Sequence, residues 1–517
     1  MENRKDKTSN LIFNKLLYHS QFILGPFFIK EFISWKRIEI SSSTCLTVHP
    51  DLNTYQAVYE NKSITLLGFI LDPDNPQATD SDIINDLIHE LFSCDKFIER
   101  TYRFGGRWIL IVNDGKDTRL FHDATGLRQV FFTDTCFIKD LWCASQPGLI
   151  AEILNLQMDK DAVDFIKSYE LRDKEYWWPG DSSPYKEIKH LLPNHYLNLA
   201  TGLICRYWPE RELCELFLDD AVEKTSRILQ GLMKSASNRF DLVLGLTAGW
   251  DSRLVLASSK EISNKVSYET VRQIGMPEDH PDIRIPSMLL SKLGLKHEII
   301  TSKHIMDNEF REIFKKSAIF AHDVWVPDAQ AIFEYYNYSK VAVTGTVSEV
   351  ARCFYRSSKS DWQEATPQIL SFHTNMGNNP FAVKSFEKWL SGIAEVYNYN
   401  ILDLFYWEQR VGNWAAMCQL EFSLAWQDIF TPFNCRNLLI NMLSVDEKYR
   451  RPTKYILYEK LILKLWPEVL SVPINPHKKK RFNSLLKSYI KAQFSPYVPD
   501  SVKSSLKRIL KWGVKNA

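Results

Sequence analysis

The sequence predicts an α/β protein whose two halves are built differently. Its 517 residues suggest two to four domains at roughly 100–200 residues each. Up to about residue 210 the chain reads as β-rich, with short apolar runs closed by turn residues. After about Arg211, strand-like and helix-like segments alternate, which argues for a parallel sheet with helices on both faces.

In the first half, residues 64–72 (ITLLGFILD) and 106–114 (GRWILIVND) are strands. Residues 119–134 read as two strands around a polar turn at Asp123, Ala124, Thr125 and Gly126. Residues 189–208 read as a hairpin turning near Ala200, Thr201 and Gly202. Residues 82–92 form a helix with Ser81 as its N-cap. In the second half, 216–237 carries apolar residues at helical spacing, 240–246 is a strand and 253–262 a helix. Strand 265–271, helix 283–294, strand 297–301 and strand 340–345 follow. From 360 to 470 the pattern is mostly helical and rich in aromatics.

A composition of 45% hydrophobic, 24% charged and 13% aromatic residues excludes wholesale disorder. Lys+Arg 64 against Asp+Glu 62 excludes a chain-wide polyanion-binding field, so nucleic acid is not an expected partner. The tail from Pro476 to Ala517 is the local exception, with many lysines and arginines against the single acid Asp500. It reads either as a solvated helical face or as a contact for polyphosphate, nucleic acid or acidic lipid. Nine cysteines, an odd number with no CxxC spacing, indicate neither a disulfide framework nor a zinc knuckle. The opening MENRKDKTSN does not read as a signal peptide, and polar residues interrupt the apolar stretch Leu11 to Trp35. A cytoplasmic protein without a membrane span is expected.

The chemistry concentrates in LVLGLTAGWDSRLVLAS (242–258), an apolar strand, a short polar loop and a helix. Such a helix aims its free N–H groups and positive dipole end at an anion, so this is a phosphate-binding arrangement. Thr247 and Ser252 add hydroxyls, and Gly249 lets the backbone come close. Asp251 repels phosphate and therefore reads as the ligand of a metal, Mg²⁺. The chain contains no Walker-type GKS or GKT, which excludes a P-loop NTPase.

The TAGWDS segment resembles the SGGxDS pyrophosphate loop of the asparagine synthetase family, the PP-loop ATP-pyrophosphatases. In that family ATP adenylates a carboxylate, pyrophosphate leaves and an amine attacks the acyl-adenylate. Thr247 keeps the first hydroxyl, and Asp251 and Ser252 match. Ala248 replaces a glycine, and Trp250 is bulky where a small residue is usual. If the glycine's φ is needed, alanine costs roughly 1 kcal/mol. KVAVTGTVSEVARCFY (340–355), read as strand, loop and helix, resembles the SGDGADE-like loop through Thr344, Gly345 and Glu349. The family's second metal-binding aspartate has no counterpart among Thr346, Val347 and Ser348. Lys479 in KKKRF (478–482) holds the spacing of the family's lysine over the phosphates. The resemblance also implies that adenine packs near Val266, Ser267 and Tyr268. Asp282 is either the acid opening the next helix or its cap, and Arg253 either contacts phosphate or pairs with a surface acid. Residues 404–414, with Glu408 and Arg410, either line an acceptor pocket or belong to the core.

Residues 105–134 resemble the class II glutamine amidotransferase domain of the same synthetases, through Asp123, Gly126, Leu127, Arg128, Phe131 and Phe132. That resemblance implies an N-terminal Ntn-type α+β sandwich of two packed antiparallel sheets with helices. A C-terminal doubly wound PP-loop domain with a mostly helical extension follows. The divisions are 1–210, 211–482 and a basic tail 483–517. The family's glutaminases use an N-terminal cysteine exposed after Met1 is removed, whereas Glu2 follows Met1 here. The glutaminase half is therefore expected to be inactive, as in β-lactam-forming and lasso-peptide-cyclising relatives.

The expected protein is an ATP- and Mg²⁺-dependent amide-forming ligase. Its substrates are a small-molecule or peptide carboxylate and an amine, either ammonia or a substrate amine; a homodimer is allowed for. Thr247, Ala248, Gly249, Ser252, Ser267 and Gly345 would bind nucleotide, Asp251 the metal and the pyrophosphate, and Glu349 and Lys479 would be catalytic. The alternatives are a non-catalytic nucleotide-binding or partner-binding homologue, or glutamine hydrolysis through a partner subunit.

Overall fold

The computed structural model describes residues 15–356, 364–476, 499–501 and 503–504. Seventeen strands are among them: β1 (Phe22–Gly25), β2 (Lys36–Ser41), β3 (Thr44–Val48), β4 (Thr54–Tyr59), β5 (Lys62–Leu71), β6 (Gly105–Asn113), β7 (Thr118–His122), β8 (Phe131–Thr133), β9 (Cys143–Ala144), β10 (Ile188–His190), β11 (His195–Asn198), β12 (Ile204–Arg206), β13 (Leu242–Gly245), β14 (Val266–Arg272), β15 (Glu298–Thr301), β16 (Val341–Val343) and β17 (Asp428–Phe430). They make three sheets, ordered β10-β8-β9-β1-β3-β2, β12-β11-β7-β6-β5-β4 and β15-β14-β13-β16-β17.

The first two sheets are antiparallel and pack face to face. Strand alternation makes the layers. Phe22 and Leu24 meet Leu67, Ile109 and Ile111 between the sheets. Ile23, on the other face of β1, packs under Leu149 and Ile150 of the helix Pro147–Leu154. Leu110 and Val112, on the other face of β6, pack against Ile83, Ile84 and Leu87 of the helix Asp80–His89. The expected sandwich of two antiparallel sheets with helices is the architecture found.

The third sheet is parallel throughout. Leu242 and Leu244 of β13 and Val341 and Val343 of β16 share one core with Leu254, Val255 and Leu289. Val243, Ala342 and Ile429 point the other way, to Phe310, Phe314, Ala329 and Ile332. Residues buried on both faces explain why these strands read as continuous apolar runs. The third sheet is therefore doubly wound, and helices dominate the chain from Pro367 to Leu465.

Two local expectations are corrected, on a cap and on a helix, and two features go beyond what was expected. The helix at 80–89 is capped by Thr79, not Ser81, because Thr79 and Asp82 close a capping box. The two strands around Asp123 are β7 and β8, and they lie in different sheets. Asp123 explains the switch: its buried carboxylate accepts N–H groups of Trp108, Thr125, Leu127 and Arg128 at 3.0–3.3 Å, which turns the chain from one sheet to the other. The loop after β16 ends in a 3₁₀ turn, Ser348–Ala351, rather than an α-helix. The short strand β17, inside the helical stretch, was not expected. Among the described residues no helix is long and apolar enough to cross a membrane.

The two halves are joined by a buried ion pair. Asp428 of β17 accepts Arg107 Nη1 at 3.0 Å and Arg128 Nη2 at 2.6 Å. Around it, Asn434 accepts from Thr125 Oγ1 at 2.8 Å and donates to the Gly106 carbonyl at 2.7 Å. Arg128, singled out in the sequence for a resemblance, thus serves this junction. Burial alone would raise the Asp428 carboxyl, but Arg128 and Arg107 outweigh it and hold the carboxyl below its ordinary range. A carboxyl depressed in the fold contributes stability above its unfolded value, and that contribution is lost as pH falls through the folded value. Asp428→Asn should therefore lower stability at neutral pH by about 3–5 kcal/mol, since it strands two buried guanidiniums. It should also flatten the acid limb of stability against pH. Thermal melts of both proteins from pH 7 to pH 3 check this, and coincident curves would contradict it.

Candidate active site

The order of the third sheet reverses between β13 and β16, and in open α/β sheets such a switch point is where ligand-binding crevices lie, outside the strands' carboxyl ends. The loop 247–252 follows β13 and the loop 344–349 follows β16, so the two most suggestive segments of the sequence face one another. Gly345 brings them into backbone contact. A Cβ there would stand 2.6 Å from the Asp251 carbonyl carbon and 2.8 Å from both Asp251 Cβ and Ser252 N. No other residue type fits without moving one loop.

The first loop is tied down largely by its own donors. Thr247 N–H donates to Ser252 Oγ at 3.2 Å, Gly249 N–H to Thr247 Oγ1 at 3.2 Å, and Ala248 N–H to Asp282 Oδ1 at 2.9 Å. Asp282 is thus the acid in the first turn of the helix Pro281–Lys292, whose cap is His280, and from there it pins the loop. Ala248 has no left-handed φ, so replacing glycine there costs no backbone strain. Gly249 caps the helix Trp250–Ser258 with an ordinary φ of −79°. The N–H groups of Trp250, Asp251 and Ser252 stand in that helix's first turn, where the dipole favours an anion.

Arg253 meets neither phosphate nor a surface acid. It is buried and donates to the carbonyls of Val469 and Val472 at 2.8 and 2.9 Å and of Pro473 at 3.3 Å. Burial lowers its guanidinium to about 10. This clamp steers the following segment past the loop, where Asn475 N–H donates to the Ala248 carbonyl at 2.9 Å.

The second loop carries strain. Val347 is β-branched and buried, yet has φ +85°. Such a conformation costs on the order of 1–3 kcal/mol and persists only where its surroundings hold it. Here Thr431 Oγ1 donates to the Thr346 carbonyl at 2.7 Å and the Tyr458 hydroxyl to the Ser348 carbonyl at 2.6 Å.

Between the loops lies a set of ionic contacts absent from the sequence reading. Arg352 Nη1 reaches Asp251 Oδ2 at 3.0 Å, and Nη2 reaches Glu349 Oε1 at 2.8 Å. Ser348 Oγ donates to Asp251 Oδ1, and the Tyr406 hydroxyl donates to Glu349 Oε2 at 2.5 Å. The guanidinium sits over the rings of Tyr455 and Tyr458, 5.2 and 5.9 Å from their centroids. Burial pushes the Asp251 carboxyl up to about 6; Arg352 opposes this and Glu349 adds to it. Burial alone would lower Arg352, but Asp251 and Glu349 raise it above its ordinary value.

This arrangement tests the expected metal. All four carboxylate oxygens of Asp251 and Glu349 have protein donors, and a cation already stands between the two groups. Magnesium on Asp251 does not fit these contacts.

No family model matches the sequence, and no curated protein matches it. Solved structures are similar at a distance. One is a glutamine phosphoribosylpyrophosphate amidotransferase from B. subtilis complexed with ADP and GMP, 9% identical, covering 56% of this chain and 67% of its own, with a TM-score of 0.20. Another, described as the allosteric regulatory enzyme of purine biosynthesis, is 10% identical over 60% of this chain and 75% of its own, with a TM-score of 0.21. A glutamine-dependent NAD+ synthetase from Acinetobacter baumannii in complex with ADP is 11% identical over 68% of this chain and 60% of its own, with a TM-score of 0.19. The site is read from its own residues.

Of the residues named from sequence, Thr247, Ala248, Gly249, Asp251, Ser252, Gly345 and Glu349 belong to the two loops that meet at the crevice. Ser267 does not. It is the second residue of β14, paired with Val243 below the strand ends, whereas the crevice lies beyond the carboxyl ends. Lys479 lies outside the described residues. Glu408 is wholly buried and held by Arg206, Asn194 and Trp389, and Arg410 pairs with Glu175 at 2.6 Å, so these two residues of the 404–414 segment serve the core, while Tyr406 of the same segment reaches Glu349. The sequence reading missed Arg352, Ser348 and Tyr406. Each left a trace: Arg352 stands three residues after Glu349, Ser348 lies in the loop already singled out, and Tyr406 lies in the 404–414 segment read as either pocket lining or core.

Gly345→Ala should lower stability by about 1–3 kcal/mol, because the clash is with backbone that cannot rotate away. Gly245→Ala, where a Cβ meets nothing within 4 Å, is the control and should change little. Urea unfolding of the two variants checks this, and equal midpoints would contradict the close approach.

Proposed function

We propose that the chain is an ATP-dependent amide-forming ligase of the kind the asparagine synthetase resemblance implies. A carboxylate attacks the α-phosphorus of ATP, giving an acyl-adenylate and pyrophosphate. An amine then attacks the acyl carbon, giving the amide, AMP and a proton. The observation that carries this reading is the meeting of loops 247–252 and 344–349 at the switch point.

In this reading the N–H groups of Trp250 to Ser252, with the hydroxyls of Thr247 and Ser252, receive the phosphates. Glu349 orients the amine and takes its proton, with the Tyr406 hydroxyl fixing one carboxylate oxygen. Lys479 stabilises charge developing on the phosphates; it lies four residues beyond Asn475, which touches the loop. No step runs through a metal on Asp251. The amine is ammonia or a substrate's own amine.

A second reading, a nucleotide-binding or partner-binding protein without catalysis, is favoured by one observation. The N–H groups of Thr247, Ala248 and Gly249 are already spent inside the protein.

Calorimetry with ATP, followed by AMP and pyrophosphate assays over a panel of carboxylates and amines, separates the two. The ligase reading expects ATP binding, weakened about tenfold or more in Ser252→Ala by loss of a hydrogen bond to a charged group. It also expects AMP and pyrophosphate in equal amounts with one of the carboxylates. Binding without release across the panel would favour the second reading. No binding by the folded chain would overturn the first.

A further inference from the structure

We infer that Arg352 is the resident cation of this site, standing where a divalent ion would otherwise join Asp251 and Glu349, so that the chain holds no metal of its own there. Two carboxylates drawn together in a half-buried crevice need a positive charge between them. A divalent ion bound by oxygen ligands is one solution. A planar guanidinium, with two N–H forks aimed at two carboxylates, is another.

The surroundings of Arg352 are built for the second. Its side chain is only 11% exposed and its two Nη atoms divide between the acids at 3.0 and 2.8 Å. Its flat face lies over Tyr455 and Tyr458. Tyr455 holds a left-handed φ of 44° at the start of the helix Ile456–Leu465, and Tyr458 is fixed by its hydroxyl bond to the Ser348 carbonyl. Ser348 and Tyr406 then close the remaining oxygen of each acid. The arginine is therefore held from both loops and from a helix, not loosely folded over an open acidic pair. Three charges from three points of the chain leave one net negative charge, against the two that a bare acid pair would present to a metal.

Terbium luminescence tests this, because a bound lanthanide would lie near Tyr406, Tyr455 and Tyr458 and be sensitised by them. Native protein should show no sensitised emission that Asp251→Asn removes. Arg352→Gln uncovers both acids and should bind Tb³⁺ on the order of tenfold tighter or more than native. The double variant Asp251→Asn, Arg352→Gln should lose that gain. Competition with Mn²⁺ should quench the emission of Arg352→Gln. A terbium site in native protein that Asp251→Asn abolishes would overturn the inference, and that arm needs no arginine variant to fold. A folded Arg352→Gln with no new site would overturn it equally. The test contains no nucleotide, so it stands or falls separately from the ligase reading.

Discussion

Asp251 and Glu349 come from loops far apart in the chain, and they share one crevice because a guanidinium stands between them. Arg352 does what neither loop does alone: it offsets two desolvated charges and sets the distance at which the loops meet. Removing the arginine would leave two uncompensated, partly buried carboxylates, which costs far more than an exposed pair contributes. The neighbouring hydroxyls of Ser348 and Tyr406 complete the set, so that every carboxylate oxygen of the two acids has a donor, while Arg352 Nε stays buried without one.

Much of the surrounding architecture can be traced to holding that centre. The doubly wound order places the ends of β13 and β16 side by side. Gly345 allows the loops to touch, and the strain at Val347 is held by bonds from Thr431 and Tyr458 on either side of it. Asp282 and Asn475 fix Ala248 from two directions, and Arg253 anchors the segment that carries Asn475. The N-terminal sandwich joins through Asp428, at the start of β17, beside β16. The strand that welds the halves is thus next to the strand that bears the second loop.

How much of this was legible follows from range. β5, β6, β13 and β14 announced themselves because each is a run of apolar or β-branched residues with turn residues at its ends. β17 did not, because three residues within a helical stretch have no periodicity to read. The loop after β13 was visible because strand, glycine, acid and hydroxyl are contiguous. Its closure was not, since Arg352 and Asp251 are far apart in sequence and only the fold makes them neighbours. Ser267 stands apart from the two loops for a directional reason: residues early in a parallel strand lie at the end away from the strands' carboxyl ends. Arg128 shows the converse, a residue picked by motif whose partner, Asp428, lies three hundred positions away.

Crystals grown with a non-hydrolysable ATP analogue and Mn²⁺, read by anomalous scattering, test the account most directly. The account predicts phosphates at the first turn of the helix Trp250–Ser258, with Arg352 still between Asp251 and Glu349 and no manganese bound to either carboxylate. Manganese bridging the two acids, with Arg352 swung out of the crevice, would contradict it.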